Sequence, residues 1–149
     1  MLFDPQQFLE AQVTEANDTK SIPVPEGDFV AIIKEAKARQ WTSKSDSSKS
    51  GLALDVVWSI DSPEVKTLLG RDEVTVKQGI MLDLTEHGTL DMGKGRNIYL
   101  GRLREAVGLN TPGQAFSIMH LPGRAALVSI KHRVDGDDIF ADVKAVAKV

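Results

Sequence analysis

Residues 74–84 read VTVKQGIMLDL, and residues 97–108, which follow a glycine-rich loop, read NIYLGRLREAVG. In the first stretch apolar residues fall at almost every second position, which is typical of a strand with one face in a core. In the second stretch Leu100, Leu103 and Val107 fall on one face of a helix. The asparagine that opens this stretch and the glycine that ends it are typical helix caps. The two stretches together predict a strand, a loop and a helix in that order.

Two strands are predicted before this unit and two after it, because each region shows apolar alternation bounded by turn residues. These strands are residues 27–41, 52–60, 124–134 and 138–148. Residues 61–73 are interpreted as a connection that a turn opens and a Gly-Arg-Asp turn closes. The last two strands are joined by Asp135-Gly136-Asp137, a strong hairpin signal.

This order of elements predicts a mostly β fold. Three strands, a helix and two strands are the order of an OB-type fold, a five-stranded Greek-key barrel with one helix between strands 3 and 4. Gly79 lies in the middle of the third strand and predicts a bulge or sharp bend, as a barrel corner requires. Trp58 shares a strand face with Leu54, Val56 and Ile60, so we expect it in the core.

The N-terminal segment differs from the rest of the chain. Residues 1–22 are predicted to form an arm with a short helix, and residues 23–149 to form the OB-like barrel domain. Asp4 is placed to cap the arm helix, and the proline after it suits the first helical position. The arm carries four carboxylates against one lysine, a net charge of −3, which equals the net charge of the whole chain. The predicted barrel is therefore neutral, and any basic surface on it must be local.

Several functional classes find no support in the sequence. There are no cysteines, which excludes disulfides, thiolate metal sites and thiol nucleophiles. No apolar run approaches the ~20 residues of a membrane-spanning helix. The three histidines share no metal-ligand spacing. Residues 88–94 match the pattern G-x-x-x-x-G-K, but Gly95 stands where a nucleotide-binding loop needs Ser or Thr, so we interpret them as a turn. We predict no enzymatic activity, no cofactor, no metal and no membrane partner.

Basic and aromatic residues near strand ends are the candidate binding groups. A single-strand binder needs cations for the phosphates and an aromatic ring on which bases stack. Trp41 lies among polar residues, unlike Trp58, and is the preferred stacking residue. Solvent-facing strand positions also carry Lys and Arg in proteins that bind nothing, so a solvated strand face is the alternative interpretation. The candidate nucleic-acid-binding residues are Lys37, Arg39, Trp41, Lys44, Lys49, Lys77, Lys131 and Arg133.

Four local patterns carry a resemblance to a known family. Residues 25–29 read PEGDF before the first strand, residues 49–54 form a Lys-Ser-Gly entry to the second, residues 70–71 are a Gly-Arg step, and residues 100–109 end a helix as LGRLREAVGL. Over about residues 22–148 the chain resembles small phage-encoded OB-fold proteins grouped with single-stranded-DNA-binding proteins. The resemblance implies an OB fold and single-stranded DNA as the partner.

Two functions are therefore weighed. The first is sequence-tolerant binding of single-stranded DNA in phage DNA replication or recombination, in the host cytoplasm. The second is a phage structural role in the virion, as a capsid cement or decoration subunit, in which residues 1–22 contact other copies or capsid proteins. The acidic arm and the few aromatic residues favour the second, while the basic groups around the first strand connection favour the first.

Overall fold

The computed structural model describes residues 2–149. The helices and strands are, in chain order, α1 (Pro5–Glu10), β1 (Gly27–Thr42), β2 (Ser50–Ile60), α2 (Pro63–Leu69), β3 (Thr75–Met81), α3 (Ile98–Ala106), β4 (Ala125–Asp135) and β5 (Asp138–Ala147). A single-turn 3-10 helix, Ile118–His120, precedes β4. Among these residues, no helix combines the length and the apolar character needed to cross a membrane.

The five strands form one antiparallel sheet in the order β3-β2-β1-β4-β5. The fourth strand returns beside the first, which gives the Greek-key arrangement of four strands. The long β1 makes this possible because its first part pairs with β4 and most of its length pairs with β2. The mostly β fold with five strands is confirmed. The sheet is not closed, however: within the described residues no ladder of hydrogen bonds joins β3 to β5.

The core lies on one face of the sheet, beneath α3. Alternate residues of β2 fill its centre, and Trp58 is completely buried, as predicted, with its Nε1 donating a hydrogen bond to Oε1 of Gln78 at 2.9 Å. Leu100 and Leu103 of α3 and Leu121 cover these side chains. The helix predicted between the third and fourth strands therefore supplies part of the core.

Of the bulge or sharp bend predicted at Gly79, the bulge is absent. The register between β2 and β3 runs without a break past Gly79, which lies opposite Asp55. Bulges occur instead at Lys34 in β1 and at Lys144 in β5, where one residue is left without an opposing partner. A bulge adds a residue and reverses which alternate side chains face the core. Its position depends on how distant strands align, so a glycine within one strand was a poor guide.

The caps of α3 differ in part from expectation. Asn97 precedes the helix, but it has φ of 53° and its side chain makes no capping hydrogen bond. Its amide instead holds the loop: Oδ1 accepts from the Asp83 backbone N–H at 2.8 Å, and Nδ2 donates to the carbonyls of Asp83 and Asp91. At the other end Gly108 has φ of 75°, and the backbone N–H of Leu109 donates to the Arg104 carbonyl at 2.8 Å, as the expected glycine cap requires.

Two shorter helices complete the fold. The expected arm helix is α1, and Oδ1 of Asp4 accepts a hydrogen bond from the Gln6 N–H at 3.0 Å. The second, α2, lies in the connection over residues 61–73 for which no helix was predicted. Ser62 caps its start through a hydrogen bond from the Val65 N–H at 3.3 Å. Only Val65 of this helix is buried, so its apolar stripe is too short to be recognised by periodicity.

Candidate nucleic-acid interface

The face of β1, β2 and β3 that points away from the core is called the outer face here. Beyond the bulge at Lys34, the odd-numbered residues of β1 point to this side, because the extra residue reverses the alternation. The strand register arranges the side chains in four rows. The rows are Glu35–Val57–Lys77, Lys37–Asp55–Gly79, Arg39–Ala53–Met81 and Trp41–Gly51. Four of the predicted binding residues, Lys37, Arg39, Trp41 and Lys77, therefore share one face.

Two of the cations on the outer face have carboxylate partners. Arg39 Nε lies 2.8 Å from Oδ2 of Asp55 on the neighbouring strand, and Lys37 pairs with Glu35 two residues earlier. The hydrogen bond from the Lys37 ammonium lowers the pKa of Glu35. Lys77 forms no ion pair with any described residue. Three cations and two carboxylates give these four rows a net charge of +1.

Trp41 is held against the opposite strand. An added Cβ on Gly51 would lie 3.0 Å from the indole ring, so the ring rests directly on the glycine backbone. The side chain is half-buried, and its Nε1 is buried without a hydrogen-bond partner among the described residues. Another exposed apolar side chain on this face is Met81, which is 59% exposed. An indole fixed on one side and an exposed thioether are the groups against which a base could stack or pack.

The connection between β1 and β2 carries Lys44 and Lys49 at the end of the outer face. Its turn is closed by hydrogen bonds from the Ser43 N–H to the Lys49 carbonyl at 2.9 Å and from the Lys49 N–H to the Asp46 carbonyl at 3.0 Å. The Asp46 carboxylate accepts from the hydroxyl and the backbone N–H of Ser48, and these bonds lower its pKa. Both lysines are exposed, and neither forms an ion pair with another described residue.

The open border between β3 and β5 forms a cleft of about 360 Å³, called the seam here. Lys77 lines it from β3 and Arg133 from the opposite side, together with residues 21–24 of the N-terminal segment. Arg133 Nε lies 2.8 Å from Oδ2 of Asp142, and its guanidinium lies 4.8 Å from the ring centroid of Phe140. The structure thus brings Arg133 to the same cleft as Lys77.

The eighth candidate is less well placed. Lys131 is exposed on β4, opposite Asp142 in the register, and does not line the seam. Sequence reasoning missed two seam residues, Arg71 and Phe140. Arg71 follows the helix α2, which was not predicted, and Phe140 was interpreted only as part of a strand.

No cluster of three or more His, Cys, Asp or Glu side chains that could hold a metal ion occurs within residues 2–149. The comparisons with known proteins add no relative: no protein-family model matches this sequence, and no curated protein matches it either. The outer face and the seam are therefore the features from which a function is inferred.

Proposed function

We propose that this protein binds single-stranded DNA without sequence preference, on the outer face and the seam. The observation that carries the proposal is the alignment of Lys37, Arg39, Trp41 and Lys77 along a single surface. Lys44 and Lys49 extend this surface at one end, and Arg133 extends it across the seam. Proteins generally hold single-stranded DNA by neutralising its phosphates with basic side chains and by stacking its bases on aromatic side chains.

We further propose that the fold is an OB-type barrel that is open at the seam. The Greek-key strand order and the α3 helix after β3 support this, because OB folds are five-stranded, partly open Greek-key barrels. In this strand order only β3 and β5 have a free edge, so a barrel would close between them, and both edges border the seam. OB folds bind oligonucleotides on the face of strands 2 and 3 and in the first loop, which here correspond to the outer face and residues 43–49.

The carboxylates on the outer face do not prevent phosphate binding. Exposed ion pairs are worth about 0–1 kcal/mol, so a phosphate can replace Asp55 as the partner of Arg39 at low cost. The same holds for Glu35 as the partner of Lys37. Each phosphate neutralised releases condensed counterions, so log affinity should fall with log salt with a slope of about 0.7 per contact. The proposal therefore requires that the affinity for single-stranded DNA falls steeply as the salt concentration rises.

Titration with oligo(dT) at low salt tests the proposed function. We expect retardation in a gel and quenching of tryptophan fluorescence, because a base that stacks on Trp41 quenches its indole. The matched control is Trp41→Phe, which keeps only the buried Trp58 and should show no quenching. If the wild-type chain shows neither retardation nor quenching at low salt, the proposed function is wrong.

Asp55→Asn should increase the affinity for oligo(dT) about threefold to tenfold. The substitution removes a negative charge from the outer face and releases the Arg39 guanidinium from its charged partner. Loss of one repulsive charge near the phosphates corresponds to about 1 kcal/mol, close to the upper value of an exposed ion pair. The measurement is the dissociation constant at fixed salt, with Asp61→Asn, on an exposed turn, as the control of equal charge change. Unchanged or weaker binding of the Asp55 variant would contradict the placement of DNA on this face.

The proposed biological setting follows from the resemblance to phage-encoded single-stranded-DNA-binding proteins. In that setting the protein acts in phage DNA replication or recombination in the host cytoplasm. A chain that covers single strands without sequence preference suits both processes, since each exposes unpaired DNA of any sequence.

A second function, as a phage capsid cement or decoration subunit, is favoured by one observation. The arm exposes several large apolar side chains, including Leu2, Phe3 and Phe8. Uncovered apolar groups of this kind mark protein contacts more often than DNA contacts. Mass spectrometry of purified virions and of infected-cell cytoplasm distinguishes the two: presence in virions supports the structural role, and presence only in the cytoplasm supports DNA binding.

A further inference from the structure

The arm carries an apolar surface that nothing in the described chain covers. Leu2, Phe3, Phe8, Leu9 and Val13 are each at least 74% exposed. Burial of one such side chain is worth about 1.5–3 kcal/mol, so the arm has a substantial free energy available from docking. The α1 helix holds Phe8 and Leu9 next to each other, with Asp4 fixing its start.

A groove that is also partly apolar lies between α3 and the end of β5. Its volume is about 510 Å³, and its apolar part is formed by Ala106, Val146 and Ala147. Arg102 and Lys148 supply positive charge at its rim, with Glu105 beside Lys148 at 3.7 Å. We call this the α3–β5 groove.

The charges of the arm and of the groove are complementary. The arm carries Asp4, Glu10, Glu15 and Asp18 against Lys20. None of these carboxylates forms an ion pair with a described residue. Apolar contact and opposite charges both favour docking of the acidic arm in this groove. Like charges would repel the arm from acidic surfaces, which adds specificity.

The geometry favours the groove of another copy over the arm's own groove. Lys20 Nζ donates to the Asp137 carbonyl at 3.1 Å, which ties the arm to the hairpin tip between β4 and β5. The groove lies at the other end of β5, about 30 Å away at ~3.3 Å per residue. Residues 11–20 would have to be almost fully extended to span this distance, but the chain bends at Glu15 and again at Thr19 and Lys20.

We infer that the N-terminal arm of one copy docks in the α3–β5 groove of a second copy. When two copies exchange arms, each arm fills the other's groove, and the contact closes as a symmetric dimer. This inference goes beyond DNA binding, and it is tested in the absence of DNA. Its failure would therefore leave the proposed function untouched.

Two full-length variants test the two halves of the contact. The arm variant carries F8D and L9D, and the groove variant carries R102E and A147E; all four substituted side chains are exposed, so both variants should fold. We expect each variant to self-associate about tenfold or more weakly than the wild type in sedimentation velocity, because central apolar contacts carry most interface energy. The control is K66E with T67E on α2, which makes the same charge changes as the groove variant away from the groove and should associate as the wild type does.

Mixing the two variants tests whether the arm of one copy docks in the groove of another. Each variant retains the half that the other lacks, so an equimolar mixture should form a heterodimer with one arm seated in one groove. The expected result is that the mixture associates more strongly than either variant does alone. A wild-type chain that stays monomeric at 16.2 kDa, which includes an arm folded onto its own groove, would overturn the inference. So would a mixture that does not associate.

Discussion

Alanine at Arg39, Lys44 and Lys49 together is expected to weaken oligo(dT) binding about tenfold to a hundredfold, at roughly 1 kcal/mol or less per cation. All three side chains lie on the outer face or on the turn at its end. The slope of log affinity against log salt should also fall by about 2, because each lost phosphate contact removes about 0.7. Affinity measured at several salt concentrations gives both quantities.

The same triple variant should keep its fold. The three side chains are exposed, and the one ion pair lost, Arg39 with Asp55, contributes about 1 kcal/mol at most. The control triple Lys66, Lys94 and Arg124 to alanine removes equal charge elsewhere and should leave the affinity nearly unchanged. Equal losses in both triples would show that only net charge matters, and an unchanged affinity in the first would place the DNA on another surface.

Trp58→Ala should lower the free energy of unfolding by about 3–5 kcal/mol, the usual cost of removing a buried aromatic side chain. Trp58 is fully buried at the centre of β2, and its loss also leaves Oε1 of Gln78 without its hydrogen-bond donor. Urea denaturation, followed by circular dichroism because the variant lacks this tryptophan, measures the change. The midpoint should fall without a large change in the slope, since the same surface is exposed on unfolding.

The control for this prediction is Leu68→Ala on α2. Leu68 is 59% exposed, and surface substitutions of this kind usually change stability by no more than about 0.5 kcal/mol. A loss below about 1 kcal/mol for Trp58→Ala would mean that the tryptophan is not enclosed as described. The contrast with Trp41, which is only half-buried, also separates the two tryptophans as reporters of folding and of binding.

The elements themselves were largely predictable because their signals are local. The alternation of Leu54, Val56, Trp58 and Ile60 gives a strand with one buried face whatever it pairs with, and these four residues are indeed in the core. The Asp135–Asp138 turn pairs its ends within a few residues, so its hairpin follows from the turn residues alone. The short helix α2 escaped prediction because a seven-residue helix with one buried side chain leaves almost no periodic signal.

The candidate site was predictable as a set of residues but not as a surface. Basic residues and a tryptophan around the first connection can be recognised by type, and Lys37, Arg39 and Trp41 among them share the outer face with Lys77 of β3. Their ion pairs could not be foreseen, because Arg39 meets Asp55 only through the register of β1 on β2. A shift of one residue in that register would move the carboxylate to the other side of the sheet.

The five strands, their order along the chain, the helix after β3 and the acidic arm could be predicted from the sequence, because each depends on neighbouring residues. The position of the bulge in β1, the side chains that the outer face therefore presents and the open border between β3 and β5 depend on long-range strand pairing. So does the placement of Lys77 and Arg133 in one cleft. The physical reason is that register, bulges and edges are set by hydrogen bonds between strands distant in the chain, whose alignment is fixed by the packing of the whole core.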